Sequence, residues 1–110
     1  MHVLFDQGIP HLLRAALTAH NVSTAHEKGW SKLRNGELLS TAERDGYEVF
    51  VTTDTSLRYQ QNLSGRRLGI VVLLTTSWPR IQQALPSVVS AVDSATPGSY
   101  TEVEIPYLDR

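Results

Sequence analysis

The chain has 110 residues, 41% of them hydrophobic, with ten Lys and Arg against eleven Asp and Glu and no cysteine. That length suits one domain with a real core and excludes two. Near-neutral charge excludes a global basic field, so any nucleic-acid contact rests on local patches. The missing thiols exclude disulfides, thiolate catalysis and zinc–thiolate sites, and they suit a reducing cytoplasm.

His2-Val3-Leu4-Phe5 reads as a first strand, and Asp6-Gln7-Gly8 turns the chain into a helix. Ile9, Leu12, Leu13, Ala16 and Leu17 recur on one face of that helix, which ends near His20-Asn21; Pro10 stands early, where its missing N–H is harmless. Val22 to His26 forms a second, more polar strand suited to a sheet edge, and Glu27 to Arg34 reads as a loop. Asn35 is placed to cap the next helix, whose Leu38, Leu39 and Ala42 face the core and whose stop falls at Gly46. Val49 to Thr53 is β-branched and aromatic, apolar almost throughout, and predicts a strand buried on both faces. Next come a short helix over Thr55 to Asn62, a turn at Ser64-Gly65-Arg66-Arg67 and a second buried strand over Ile70 to Leu74. Residues 75–79 start a helix with Ile81, Leu85, Val88, Val89 and Val92 on one face, kinked or split by Pro86. Ala95 to Ser99 is a loop, and Tyr100 to Ile105 alternates like an edge strand.

This order predicts a single domain over 1–110 of the α/β class, a three-layer sandwich around a mainly parallel sheet. Right-handed crossovers allow the first strand to lie beside the third, parallel to it, with the second on its other side. No apolar run reaches the ~18 residues of a membrane span, and no signal peptide is evident; a cytoplasmic protein without membrane contact is expected. Trp78, Val88, Val89, Val92, Val103 and Ile105 offer more apolar surface than a chain of this size readily hides. A homodimer or a partner-covered face is expected there.

Asp6 and Asp54 each stand where a strand runs out, and Glu37 stands in a first helical turn. In open α/β sheets chemistry collects at the carboxyl ends of the strands. Three carboxylates converging there repel one another unless a proton or a cation intervenes. Mg²⁺ accepts one or two carboxylates together with water and phosphate, so metal-dependent phosphodiester hydrolysis is the reaction class implied. Each acid also has a structural reading: the helix dipole favours Glu37, and Asp6 or Asp54 can cap the helix that comes after it.

Leu4-Phe5-Asp6-Gln7-Gly8-Ile9-Pro10 with Leu12-Leu13 resembles the opening of the small PIN-like proteins of bacterial toxin–antitoxin type. Gly29-Trp30, Asn35-Gly36-Glu37-Leu38-Leu39, Ala42, Gly46 and Val49-Phe50-Val51-Thr52-Thr53-Asp54 resemble the central block of that family. The resemblance covers residues 3 to 74. It implies a PIN-like fold, Mg²⁺ or Mn²⁺ held by Asp6, Glu37 and Asp54, and cleavage of RNA to a 5′-phosphate and a 3′-hydroxyl under restraint by a cognate antitoxin. Ser56 and Leu57 depart from the family pattern, which often has a second acid and then an aromatic at those places; a two-metal site is put in doubt. The alternative it leaves is a non-catalytic PIN-like module that binds RNA or protein with a depleted acid set.

Thr53, Arg58, Lys32 and Arg34 are the candidate substrate contacts, with Lys28, Arg66 and Arg67 as further phosphate partners; such charges are more often a solvated surface. Trp30 and Tyr59 are stacking candidates for which packing is the stronger expectation. His2, His11, His20 and His26 lack metal-ligand spacing on one element and read as structural or surface residues. A response-regulator receiver also carries acids after strands one and three. It wants a pair of acids where this chain has Asp6-Gln7, and a lysine after strand five where it has Pro106-Tyr107-Leu108-Asp109-Arg110.

Overall fold

The computed structural model describes residues 1–60, 62–63 and 65–105. Gln61 and Ser64, expected in the short helix and the turn after it, lie outside the described residues, as do 106–110, where a receiver would need its lysine. Five strands form one sheet: β1 (His2–Phe5), β2 (Asn21–Thr24), β3 (Val49–Thr52), β4 (Gly69–Leu73) and β5 (Tyr100–Val103). Their order is β2-β1-β3-β4-β5, and every neighbouring pair is parallel. As expected, β1 lies between β3 and β2, with Val3 opposite both Val49 and Val22. The more polar β2 and β5 take the edges.

Both sheet faces are covered, because the strands alternate apolar residues on each side. Val3, Phe5, Val49, Val51, Val71 and Leu73 point to one face and pack with Ile9, Leu13, Leu17, Ile81, Val88 and Val92. Leu4, Phe50, Ile70 and Val72 point to the other and pack with Leu38, Leu39, Ala42 and Leu57. Each fully buried side chain of this size contributes about 1.5–3 kcal/mol. Helices α1 (Asn35–Arg44) and α2 (Leu57–Gln60) cover the second face, while α3 (Trp78–Gln83) and α4 (Leu85–Asp93) cover the first.

Two connections therefore lie on one face but step across the sheet in opposite directions: β1 to β2, and β4 to β5. The α1 and α2 connections step across the other face. The β4-to-β5 connection thus has the opposite hand from the other three, against the strong preference for one hand. The reason is coverage. Without α3 and α4, the face built by Val51, Val71 and Leu73 would meet little beyond Leu13 and Leu17.

Some local expectations change, while the split of the long helix and the stop at Gly46 hold. The element after β1 is a 3-10 helix over His11–Ala16, not an α-helix to residue 20. At three residues per turn Leu12 is rotated about 120° from the buried Leu13, and it is 50% exposed rather than in the core. The long helix splits at Ala84, with Pro86 in the first turn of α4, where proline needs no N–H partner. α1 ends at Gly46, φ 88°, where Gly46 N–H reaches the Glu43 carbonyl at 3.1 Å and Tyr47 N–H the Ala42 carbonyl at 3.0 Å, the Schellman pairing. The apolar residues of the last third point inward: Val88, Val92, Val103 and Ile105 are buried, and Trp78 and Val89 pack against them. The surplus surface from which a homodimer or a partner-covered face was expected is thus part of the protein's own core.

Candidate active site

The sheet changes winding direction between β1 and β3, since the chain leaves β1 toward β2 and returns past it to β3. A crevice opens at the carboxyl edge of such a switch point, because the flanking connections diverge there. Asp6 follows β1 and Asp54 lies just past β3, so both acids stand at this carboxyl edge. Asp6 N–H continues the ladder onto the Val51 carbonyl at 2.9 Å. Its Oδ1 accepts from Gln7 N–H at 2.9 Å.

Thr52 joins the two acids. It is the one buried polar residue among the described ones, with 0% exposure, and a hydroxyl in such a place needs partners. It donates to Asp6 Oδ2 at 2.7 Å and accepts from Asp54 N–H at 3.1 Å. Three donors meet the Asp54 carboxylate. Ser56 gives its N–H at 2.9 Å and its hydroxyl at 2.6 Å to Oδ1, and Asn35 Nδ2 reaches Oδ2 at 3.1 Å. The Ser56 hydroxyl foremost, then Ser56 N–H and Asn35, hold Asp54 below the ordinary carboxylate range despite the opposing effect of burial.

Glu37 is not brought to this pair. α1 begins with Arg34 as its N-cap, one residue earlier than expected, so Asn35 is its first residue and its amide, not a cap, faces Asp54. Glu37, two residues on and about 200° around the helix, instead turns its Oε1 back to Arg34 N–H at 3.5 Å. Among the described residues no three His, Cys, Asp or Glu side chains form a group that could hold one ion. The donor set still suits a single hard cation. A carboxylate offers about four lone-pair positions; two donors meet Asp6 and three meet Asp54, leaving about two positions on Asp6 and one on Asp54. One Mg²⁺ or Mn²⁺ with two carboxylates, water and phosphate fits that set.

The candidate substrate contacts divide. Thr53 lies against Gly8, where a Cβ would stand 2.6 Å from its Oγ1, so Gly8 lets the loop after β1 close on the end of β3. Lys32 and Arg34 are exposed in the loop before α1, which Gln7 Nε2 ties to the Asp6 side through the Ser31 carbonyl at 3.2 Å. Arg58 turns away to the Tyr59 hydroxyl at 2.7 Å and to Glu102 at 3.9 Å, over the Tyr59 and Tyr100 rings. Arg66 is committed to Glu43 at 2.9 Å and Lys28 to Asp45 at 3.1 Å. Trp30 packs edge-on to Tyr47, as expected of a core cover, whereas Tyr59 stays 75% exposed. Two residues of the site escaped sequence reasoning. Thr52 had a signal, a lone hydroxyl in a buried strand; Asn35 had none beyond a capping role it does not play.

No family model, curated protein or solved structure matches the chain, so its reading rests on its own residues and their geometry.

Proposed function

We propose that the protein is a PIN-like, Mg²⁺- or Mn²⁺-dependent ribonuclease, the toxin component of a cytoplasmic toxin–antitoxin pair. The observation that carries this reading is the Asp6–Thr52–Asp54 linkage in the crevice at the switch point. Asp6 and Asp54 hold the cation, and Thr52 sets their spacing. A divalent ion held there neutralises phosphate charge and acidifies water. Ser56 and Asn35 keep Asp54 ionised and oriented, so it is ready to bind metal near neutral pH. Lys32 and Arg34 take flanking phosphates of the RNA strand. The cognate antitoxin restrains the enzyme by covering this edge. A second reading, a non-catalytic PIN-like module for RNA or protein, is favoured by two observations: Glu37 is occupied with Arg34 N–H, and Ser56 stands where the family often has another acid.

Calorimetric titration with Mg²⁺ and Mn²⁺, alongside cleavage of single-stranded RNA, decides between them. Binding of one ion with metal-dependent cleavage to 5′-phosphates is expected. Asp54→Asn keeps the shape, removes the charge and should abolish both without unfolding the domain. Ser56→Asp should tighten metal binding at some cost to the stability of the metal-free protein, since it sets a carboxylate against Asp54 Oδ1. Intact RNA after prolonged incubation, with no heat of metal binding, would leave the binding module as the function.

A further inference from the structure

Beside Asp6, on the side of the 3-10 helix, a groove of about 520 Å³ opens between that helix, the end of β2 and the segment after β4. Ile9 and Pro10 are its apolar lining, Asp6 and Gln7 stand beside them, Thr24 and Thr76 bring hydroxyls, and His11 and His26 bring imidazoles. These two histidines differ from the others. The His20 side chain is 8% exposed, wedged between Asp93 at 2.7 Å and the terminal ammonium at 3.1 Å. His2 lies edge-on to the Tyr47 ring at 6.0 Å. Both stand at the amino edge of the sheet, opposite the acids. His11 and His26 are exposed, and no hydrogen bond to a described residue fixes either ring. Nor do they form a three-ligand ion site with Asp6.

The volume falls in the range of small-ligand sites, and its lining mixes apolar and polar groups in about equal share. A neutral imidazole presents one donor and one acceptor in its plane and a flat face above it. A bare phosphate has no use for Ile9 and Pro10. A nucleobase uses every part: its face takes Ile9, Pro10 or an imidazole ring, and its edge takes the ring nitrogens and hydroxyls. We infer that this groove is the subsite for the nucleoside next to the scissile phosphate of single-stranded RNA, with His11 and His26 gripping its base. The inference rests on the reading that Asp6 and Asp54 act on RNA, and it adds where the strand lies: on the 3-10 helix side, not over α2.

The four histidines supply the test. Imidazole proton resonances of the full chain are followed by NMR as a short single-stranded RNA is added, with Asp54→Asn used to prevent cleavage. Those of His11 and His26 should move while those of His2 and His20 stay. By fluorescence anisotropy His11→Ala and His26→Ala should each weaken RNA binding roughly fivefold, and together by roughly tenfold or more. His11→Asn, which keeps a donor and an acceptor, should recover part of the loss. Both positions are exposed, so an unchanged melting temperature is expected and shows that folding is not the cause. RNA binding with equal affinity to wild type and to the double variant, or with motionless His11 and His26 resonances, overturns the subsite alone. Absence of any RNA binding to the wild type overturns the nuclease reading and the subsite with it.

Discussion

Replacing Thr52 by Val tests the linkage on which the site depends. The two side chains have nearly the same shape, and Thr52 is wholly buried, so the exchange deletes a hydroxyl and little else. Two interactions go with it: the donation to the Asp6 carboxylate at 2.7 Å, and acceptance of Asp54 N–H at 3.1 Å. A hydrogen bond to a carboxylate contributes about 1.5–3 kcal/mol, and an N–H left without a partner costs about 1 kcal/mol or more. Valine recovers some of this by avoiding burial of a hydroxyl, so the expected loss is about 2–3 kcal/mol. For a domain of this size that lowers the melting temperature by roughly 10–20 °C. Urea unfolding of wild type, Thr52→Val and Thr52→Ser measures it. Serine keeps the hydroxyl and loses one methyl, so it should cost only about 1 kcal/mol. If Thr52→Val unfolds at the wild-type urea concentration, or Thr52→Ser is as unstable as Thr52→Val, the hydroxyl does not couple the strand ends and the reasoning is wrong.

Two further predictions concern pH and the far side of the second core. The Asp54 carboxyl is held below its ordinary value of 3.8, chiefly by the Ser56 hydroxyl, so its contribution is present above that value and is lost as pH falls through the lower folded value. Ser56→Ala should therefore destabilise by about 1 kcal/mol near neutrality, with the gap to wild type closing in strong acid; a gap independent of pH in urea titrations would contradict this. Glu43 is raised by burial but lowered further by Arg67 N–H, the Arg66 side chain and Leu68 N–H, ending below its ordinary 4.5. Glu43→Gln sets an amide against these donors and should cost about 2–4 kcal/mol above that pH, with little difference once both forms are uncharged. Matched thermal melts across the acid range check the second case.

Much of the architecture is set by patterns a few residues long. Val49 to Val51 and Ile70 to Leu73 are apolar without interruption, and only a strand covered on both faces buries every side chain of such a run. The polar character of Asn21 to Thr24 and the alternation of Tyr100 to Val103 already mark edges, and Gly46 marks the stop of α1. The acids at the ends of β1 and β3 were legible for the same reason, since a buried strand that runs into Asp places that Asp at the sheet's rim. What the tertiary structure decided depends on segments far apart in the chain. Helix α1 starts at one rotational phase rather than another because Asn35 finds Asp54 across nineteen positions of sequence, and that phase sends Glu37 to Arg34 N–H instead of the crevice. The 3-10 winding after β1 likewise answers to a shared core that no local period encodes, and although the helical period already puts Val88 and Val92 on one face, only that core turns the face and Val103 inward. So does the opposite hand of the β4-to-β5 connection: an apolar sheet face must be covered, and burying it outweighs the twist preference of a single crossover.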